Sequence, residues 1–142
     1  MGWAVRGGAA RPGASDWPIS VDAVQSLRLS AITTHVLDTS LGRPAAGVHV
    51  VLDRGGESDH WHLVGHGHTD ADGRLRTLMP ADAPLTPGPY RLVFDTRKYF
   101  EQRGIRPFYP SIVILFEVAA GEAHYHVPLL ISAFGYTTYR GA

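Results

Sequence analysis

In His124-Tyr125-His126-Val127-Pro128-Leu129-Leu130-Ile131-Ser132, a period of two places both imidazoles on one face and Tyr125, Val127 and Leu129 on the other. The run therefore reads as a strand, His124–Ile131, whose apolar face packs into a core. Segments of the same kind precede it from Leu27 onward. Strands are expected at Leu29–Leu37, Val48–Asp53, His60–His68, Arg74–Leu78, Tyr90–Asp95 and Ile112–Val118, with a last one at Tyr136–Arg140. Turn chemistry separates them in Gly42-Arg43-Pro44, Arg54-Gly55-Gly56, Asp70-Ala71-Asp72-Gly73, Pro87-Gly88-Pro89 and Ala120-Gly121. Short strands at such intervals make an all-β sandwich.

One segment departs from the pattern. Thr96–Arg103 lacks alternation, begins at the potential N-caps Asp95 and Thr96 and stops at Gly104, which predicts a two-turn helix. Pro107 and Pro110 prevent its continuation. Residues 1–26 are rich in Gly, Ala and Pro without period, and are expected to be a flexible extension, with one helical turn over Val21–Leu27. Residues 27–142 are then the single domain.

A chain of 142 residues, 44% of them hydrophobic, buries about two thirds of its unfolded surface and needs no staple to fold. Its lack of Cys excludes disulfides, thiolate metal sites and a cysteine nucleophile. Thirteen Lys and Arg balance thirteen Asp and Glu, so no positive field draws it to nucleic acid or to anionic lipid. The longest apolar run, Ile112–Phe116, is strand-sized and far short of a membrane span. Around Arg6 and Arg11, Gly, Ala, Pro and Asp interrupt any signal-like apolar run, and a cytoplasmic location is expected.

Several side chains suited to chemistry fall on strands, each with a bland reading beside it. His35 shares a face with Leu29, Ala31 and Thr33, as a core-edge histidine would. His124 and His126 have a metal-ligand spacing, but no third ligand is near in sequence. Arg74 and Arg76 share a face after the Asp70–Gly73 turn, as solvated edge residues do. His60, His62, His66 and His68 share one parity and would suit an imidazole-seeking ion. His60 and His68 nevertheless stand about 26 Å apart on one strand, so only adjacent pairs could share an ion.

The carboxyl end resembles a known signature. His124–Ser132, followed by Phe134-Gly135-Tyr136-Thr137-Thr138-Tyr139-Arg140-Gly141, is similar to the hydroxyisourate hydrolase branch of the transthyretin-like family, whose members end in Tyr-Arg-Gly-Ser. Thr34-His35-Val36-Leu37-Asp38 with Gly42-Arg43-Pro44-Ala45 matches as well, as does Thr69-Asp70-Ala71-Asp72-Gly73-Arg74. Pro89-Tyr90-Arg91-Leu92 and Phe108-Tyr109-Pro110 resemble the family's inner segments. Ordered blocks covering Leu27 to the end are far more specific than one short motif.

The resemblance implies a transthyretin-like sandwich of two four-stranded sheets with one short helix, assembled as a homotetramer. It also implies hydrolysis of 5-hydroxyisourate to 2-oxo-4-hydroxy-4-carboxy-5-ureidoimidazoline in urate breakdown. The implied catalytic residues are His35, Arg74 and His126, with Tyr139 and Arg140 joining them in substrate binding. An imidazole can take a proton from water, and a guanidinium suits a ring bearing several carbonyl oxygens. No metal, other cofactor or covalent nucleophile is required. Ala142 stands where the family has its final Ser, and Ala133 where Pro is usual. The rival reading is a small-ligand carrier of the transthyretin type, but carriers lack both the His, Arg, His set and the Tyr-Arg-Gly ending.

Overall fold

The structure, a computed structural model, describes residues 30–142. The expected extension and its helical turn lie outside the described residues. Among the described residues nine strands form two sheets, with one short α-helix beside them. They are β1 (Ile32–Asp38), β2 (Arg43–Pro44), β3 (His49–Gly55), β4 (Trp61–His68), β5 (Arg74–Leu75), β6 (Gly88–Phe94), β7 (Ile112–Val118), β8 (Tyr125–Ser132) and β9 (Gly135–Thr138); the helix α1 is Thr96–Glu101. The first sheet runs β2-β1-β8-β9 with β5 beside β1, and the second runs β4-β3-β6-β7. Among the described strands only β1 and β8 pair in parallel, with Thr33 opposite His126.

Alternation explains the layering. Ile32, Val36, Val127, Leu129 and Ile131 from the first sheet face Val50, Leu52, Leu92, Phe94, Ile112 and Ile114 from the second, all buried. Hydrophobic burial at about 25 cal/mol per Å² holds the two layers together. The polar Thr34 survives in this core because its hydroxyl donates to the Val127 carbonyl at 2.7 Å.

The helix follows its end signals. The Asp95 carboxylate accepts from Lys98 N–H at 3.2 Å, whereas the Thr96 hydroxyl donates to the Tyr109 carbonyl instead of capping. Past its end, Gly104 N–H donates to Glu101 and Ile105 N–H to Phe100, with Gly104 at φ +71°: a glycine-terminated cap. Tyr99 and Phe100 are its buried anchors.

Three expectations need correction. Arg43–Pro44 forms a two-residue strand against Leu37 and Asp38, in a stretch read as turn. The strand expected at Arg74–Leu78 ends at Leu75, because the chain then crosses to the second sheet. There the Leu78 carbonyl oxygen lies 1.8 Å from where a Cβ on Gly65 would stand, an approach open only to glycine. Finally, β4 does not keep one parity. Leu52 pairs with Gly65 but Asp53 with Leu63, so Val64 is a bulge and His62 falls out of phase with His66 and His68; His60 precedes the strand.

Candidate active site

The outer face of the first sheet carries the titratable cluster. Register brings it together: His35 on β1 lies opposite Arg74 on β5, and Thr33 lies opposite His126 on β8. Between them is a cleft of about 430 Å³ lined by Thr33, Thr34, Arg74, Arg76, His124, His126 and Ala142.

A tight turn aims Arg74. The Asp70 carboxylate accepts from the N–H groups of Asp72 and Arg74, both at 2.9 Å, and the Arg74 N–H foremost holds that carboxyl below its usual value. Gly73 at φ +74° completes the turn. A Cβ there would stand 2.3 Å from the Val36 carbonyl oxygen, which itself accepts from Ala45 N–H.

The two catalytic candidates among the histidines differ in their partners. His35 Nε2 lies 2.8 Å from the Asp72 carbonyl oxygen. A carbonyl only accepts, so Nε2 carries the proton and Nδ1 of the neutral ring is left as the basic atom. His126 Nδ1 lies 2.8 Å from the Thr33 hydroxyl, which also approaches His124 Nε2 at 3.4 Å. Burial first, then the charge of Arg74 and the neighbouring His124, His35 and Arg76, hold His126 below the ordinary histidine value. That depression favours the neutral imidazole.

The chain end completes the cleft. After β9 it turns back, Gly141 bridges to His126, and Ala142 reaches the lining. Tyr139 and Arg140 are placed elsewhere on the chain's surface. They line a separate groove with Ile114, Leu115, Phe116 and Tyr125, where Arg140 lies 3.3 Å from Glu122 and stacks 4.5 Å above the Tyr125 ring. Sequence reasoning missed Thr33, the Asp72 carbonyl and the packing of Gly141. Thr33 was visible only as a face-mate of His35, because its position beside His126 depends on the parallel β1–β8 register.

The histidine stripe is redistributed. His66 and His68 stay together on the outer face of the second sheet, where β3 adds His49 between them. Burial, then the neighbouring His68 and His66, lower the His49 value.

A two-sheet sandwich with this connectivity is a transthyretin-like fold, and the outer face of its first sheet brings His35, Arg74 and His126 together. The sequence profile of the HIUase/Transthyretin family matches residues 32–141, and the chain belongs to that family. A 5-hydroxyisourate hydrolase from Salmonella dublin is 42% identical over 127 residues, covering 87% of this chain and 92% of its own. The structure of Klebsiella pneumoniae 5-hydroxyisourate hydrolase superposes with a TM-score of 0.68 at 38% identity, over 80% of this chain and 100% of the other. Sea bream transthyretin in complex with thyroxine gives 0.74 at 30% identity, over 79% and 95%. The fold is thus shared by a 5-hydroxyisourate hydrolase and a transthyretin alike.

Proposed function

We propose that this chain is a 5-hydroxyisourate hydrolase. The observation that carries the reading is the convergence of Arg74, His126 and the chain end on one cleft, with His35 at its flank. A hydrolase named for that substrate is 42% identical over most of its length.

The chemistry is addition of water to a cyclic amide. Neutral His126 takes a proton from water as the oxygen bonds to the ring carbonyl carbon, and the carbonyl becomes an oxyanion. Arg74 faces that developing charge with a planar fork of donors, while Arg76 adds positive field. Collapse of the tetrahedral carbon breaks the C–N bond and restores the carbonyl, and the proton held by the imidazolium passes to the leaving nitrogen. His35, fixed by the Asp72 carbonyl, presents Nδ1 to orient the water or to relay the proton. Thr33 holds the His126 ring. Because residue 142 is Ala, a terminal hydroxyl is not among the groups that bond substrate.

A homotetramer is supported by the exposed edges of the sandwich. β7 and β9 are the end strands of their sheets, and the groove beside them exposes Leu115 and Tyr139. In such an assembly Tyr139 and Arg140 belong to the subunit contact that supports the site. Sedimentation at micromolar concentration checks the mass. Among the described residues no helix is long and apolar enough to cross a membrane.

The activity is tested by generating 5-hydroxyisourate from urate with urate oxidase and following its ultraviolet decay. Decay accelerated in proportion to added protein supports the reading; decay at the spontaneous rate contradicts it.

A further inference from the structure

We propose that His49, His66 and His68 form a binding site for a divalent late first-row transition metal ion on the outer face of the second sheet, across the sandwich from the catalytic cleft. His49 on β3 is the register partner of His68 on β4, and His66 is the next residue of β4 on the same face. The rings have gathered about His49, with centroids 4.8 Å from it to His68 and 5.6 Å to His66. His49 Nε2 stands 3.5 Å from His66 Nδ1. Two nitrogens bound at 2.0–2.1 Å to one tetrahedral ion lie about 3.4 Å apart, so this pair already has the spacing of two ligands on one metal.

Among the described residues no group of three donors is already placed to hold an ion, so binding requires His68 to turn about its own side-chain torsions toward the His49–His66 pair. That rotation is open to it because its side chain is exposed. The bulge at Val64 leaves His66 and His68 in phase with each other and with His49, whereas His60 and His62 are out of the set. Gly65 and Gly67 hold the alternating inward positions, where Leu78 and Leu75 press against the strand, so the β4 backbone under the two imidazoles is backed by the core.

Three imidazoles with no carboxylate or thiolate among them select Zn²⁺, Ni²⁺, Cu²⁺ or Co²⁺ over Mg²⁺ or Ca²⁺. Asp95 and Lys98, from the start of α1, act on His49 with opposite sign and leave the site without a strong field of its own. The fourth coordination position faces solvent. The site is independent of the catalytic reading, since neither His49 nor β4 borders the cleft.

The test titrates the full chain, without substrate, with Zn²⁺ by calorimetry and with Co²⁺ by visible absorption. The expected result is one ion per chain and a tetrahedral Co²⁺ spectrum. His49→Ala and, separately, His66→Ala should each weaken binding at least tenfold, while the His60→Ala, His62→Ala double variant binds normally. His49→Ala should turn over 5-hydroxyisourate at the wild-type rate. Absence of stoichiometric binding would overturn the proposal, as would binding unchanged in both single variants. Binding lost in His124→Ala but kept in His49→Ala would place the ion in the cleft and overturn it equally.

Discussion

The Gly141 N–H donates to the His126 carbonyl at 2.8 Å, and a Cβ on Gly141 would stand 2.6 Å from His126 Cδ2. The last turn of the chain therefore packs directly against the imidazole proposed as the general base, and glycine is the residue that permits it. Gly141→Ala is expected to displace the His126 ring and lower kcat by about tenfold or more, since small misplacements of a reacting group are costly. The thermal midpoint should stay within about 2 °C of the parent, because the contact lies at the chain end. Steady-state kinetics beside a melting curve checks both halves.

The acid limb of activity should fall below pH 6.5, the ordinary histidine value, because burial and nearby positive charge depress His126. Replacing Arg76 by Gln removes one of those charges, favours the imidazolium and should move the limb to higher pH. The same depression makes neutral His126 a stabilising group above pH 6.5, and that contribution is lost as pH falls through its folded value. A pH–kcat/KM profile of both proteins reads the shift. No shift, or one to lower pH, would separate the limb from His126.

Arg74 allows charge and shape to be parted. Arg74→Lys retains the charge but loses the planar fork, and Arg74→Ala loses both. Lys should recover only part of an Ala defect of roughly 10²–10³ in kcat, with folding intact because Arg74 is set by backbone bonds to Asp70. Near-parental turnover in Arg74→Ala would return this arginine to a solvated edge.

How far the sequence reaches is visible in such residues. Alternation located the strands because half-buried sheets impose a period of two, and Gly104 and Asp95 marked the helix ends by their own conformational and hydrogen-bonding demands. The bulge at Val64 escaped, since one inserted residue leaves no compositional trace; only pairing with β3 reveals that His62 is out of phase and that His49 joins His66 and His68. His35, Arg74 and His126 looked ordinary one by one. They became a candidate site through family resemblance, and what resemblance could not supply was their hydrogen-bonding partners, Thr33 and the Asp72 carbonyl, which depend on long-range register. Tyr139 and Arg140 joined the candidate site through the same resemblance; within one chain they line a separate groove, because successive residues near a strand end face different ways.

Beneath the loop after β1, the Tyr99 hydroxyl donates to the buried Asp38 carboxylate at 2.8 Å, whose other oxygen accepts from the N–H groups of Ser40 and Leu41. Tyr99→Phe leaves a charged acceptor short of one partner and is expected to destabilise the fold by about 1–3 kcal/mol. Burial and Asp38 push the Tyr99 hydroxyl up from 10.0 to about 12. A phenol raised in the folded state contributes stability that is intact below pH 10 and lost as pH rises through its folded value, so alkaline unfolding should be steeper in the parent than in Tyr99→Phe. Urea denaturation at neutral and alkaline pH measures both effects.

The most direct measurement of the central claim is the handedness of the product. With 5-hydroxyisourate generated in place by urate oxidase, circular dichroism of the reaction should show one enantiomer accumulating with the parent protein. With His126→Ala the signal should fall toward that of the spontaneous reaction, because the ring of one enantiomer is then no longer opened faster than the unselective spontaneous reaction opens it. A product from the parent protein indistinguishable from the spontaneous mixture would contradict the account, as would an undiminished signal from a folded His126→Ala variant.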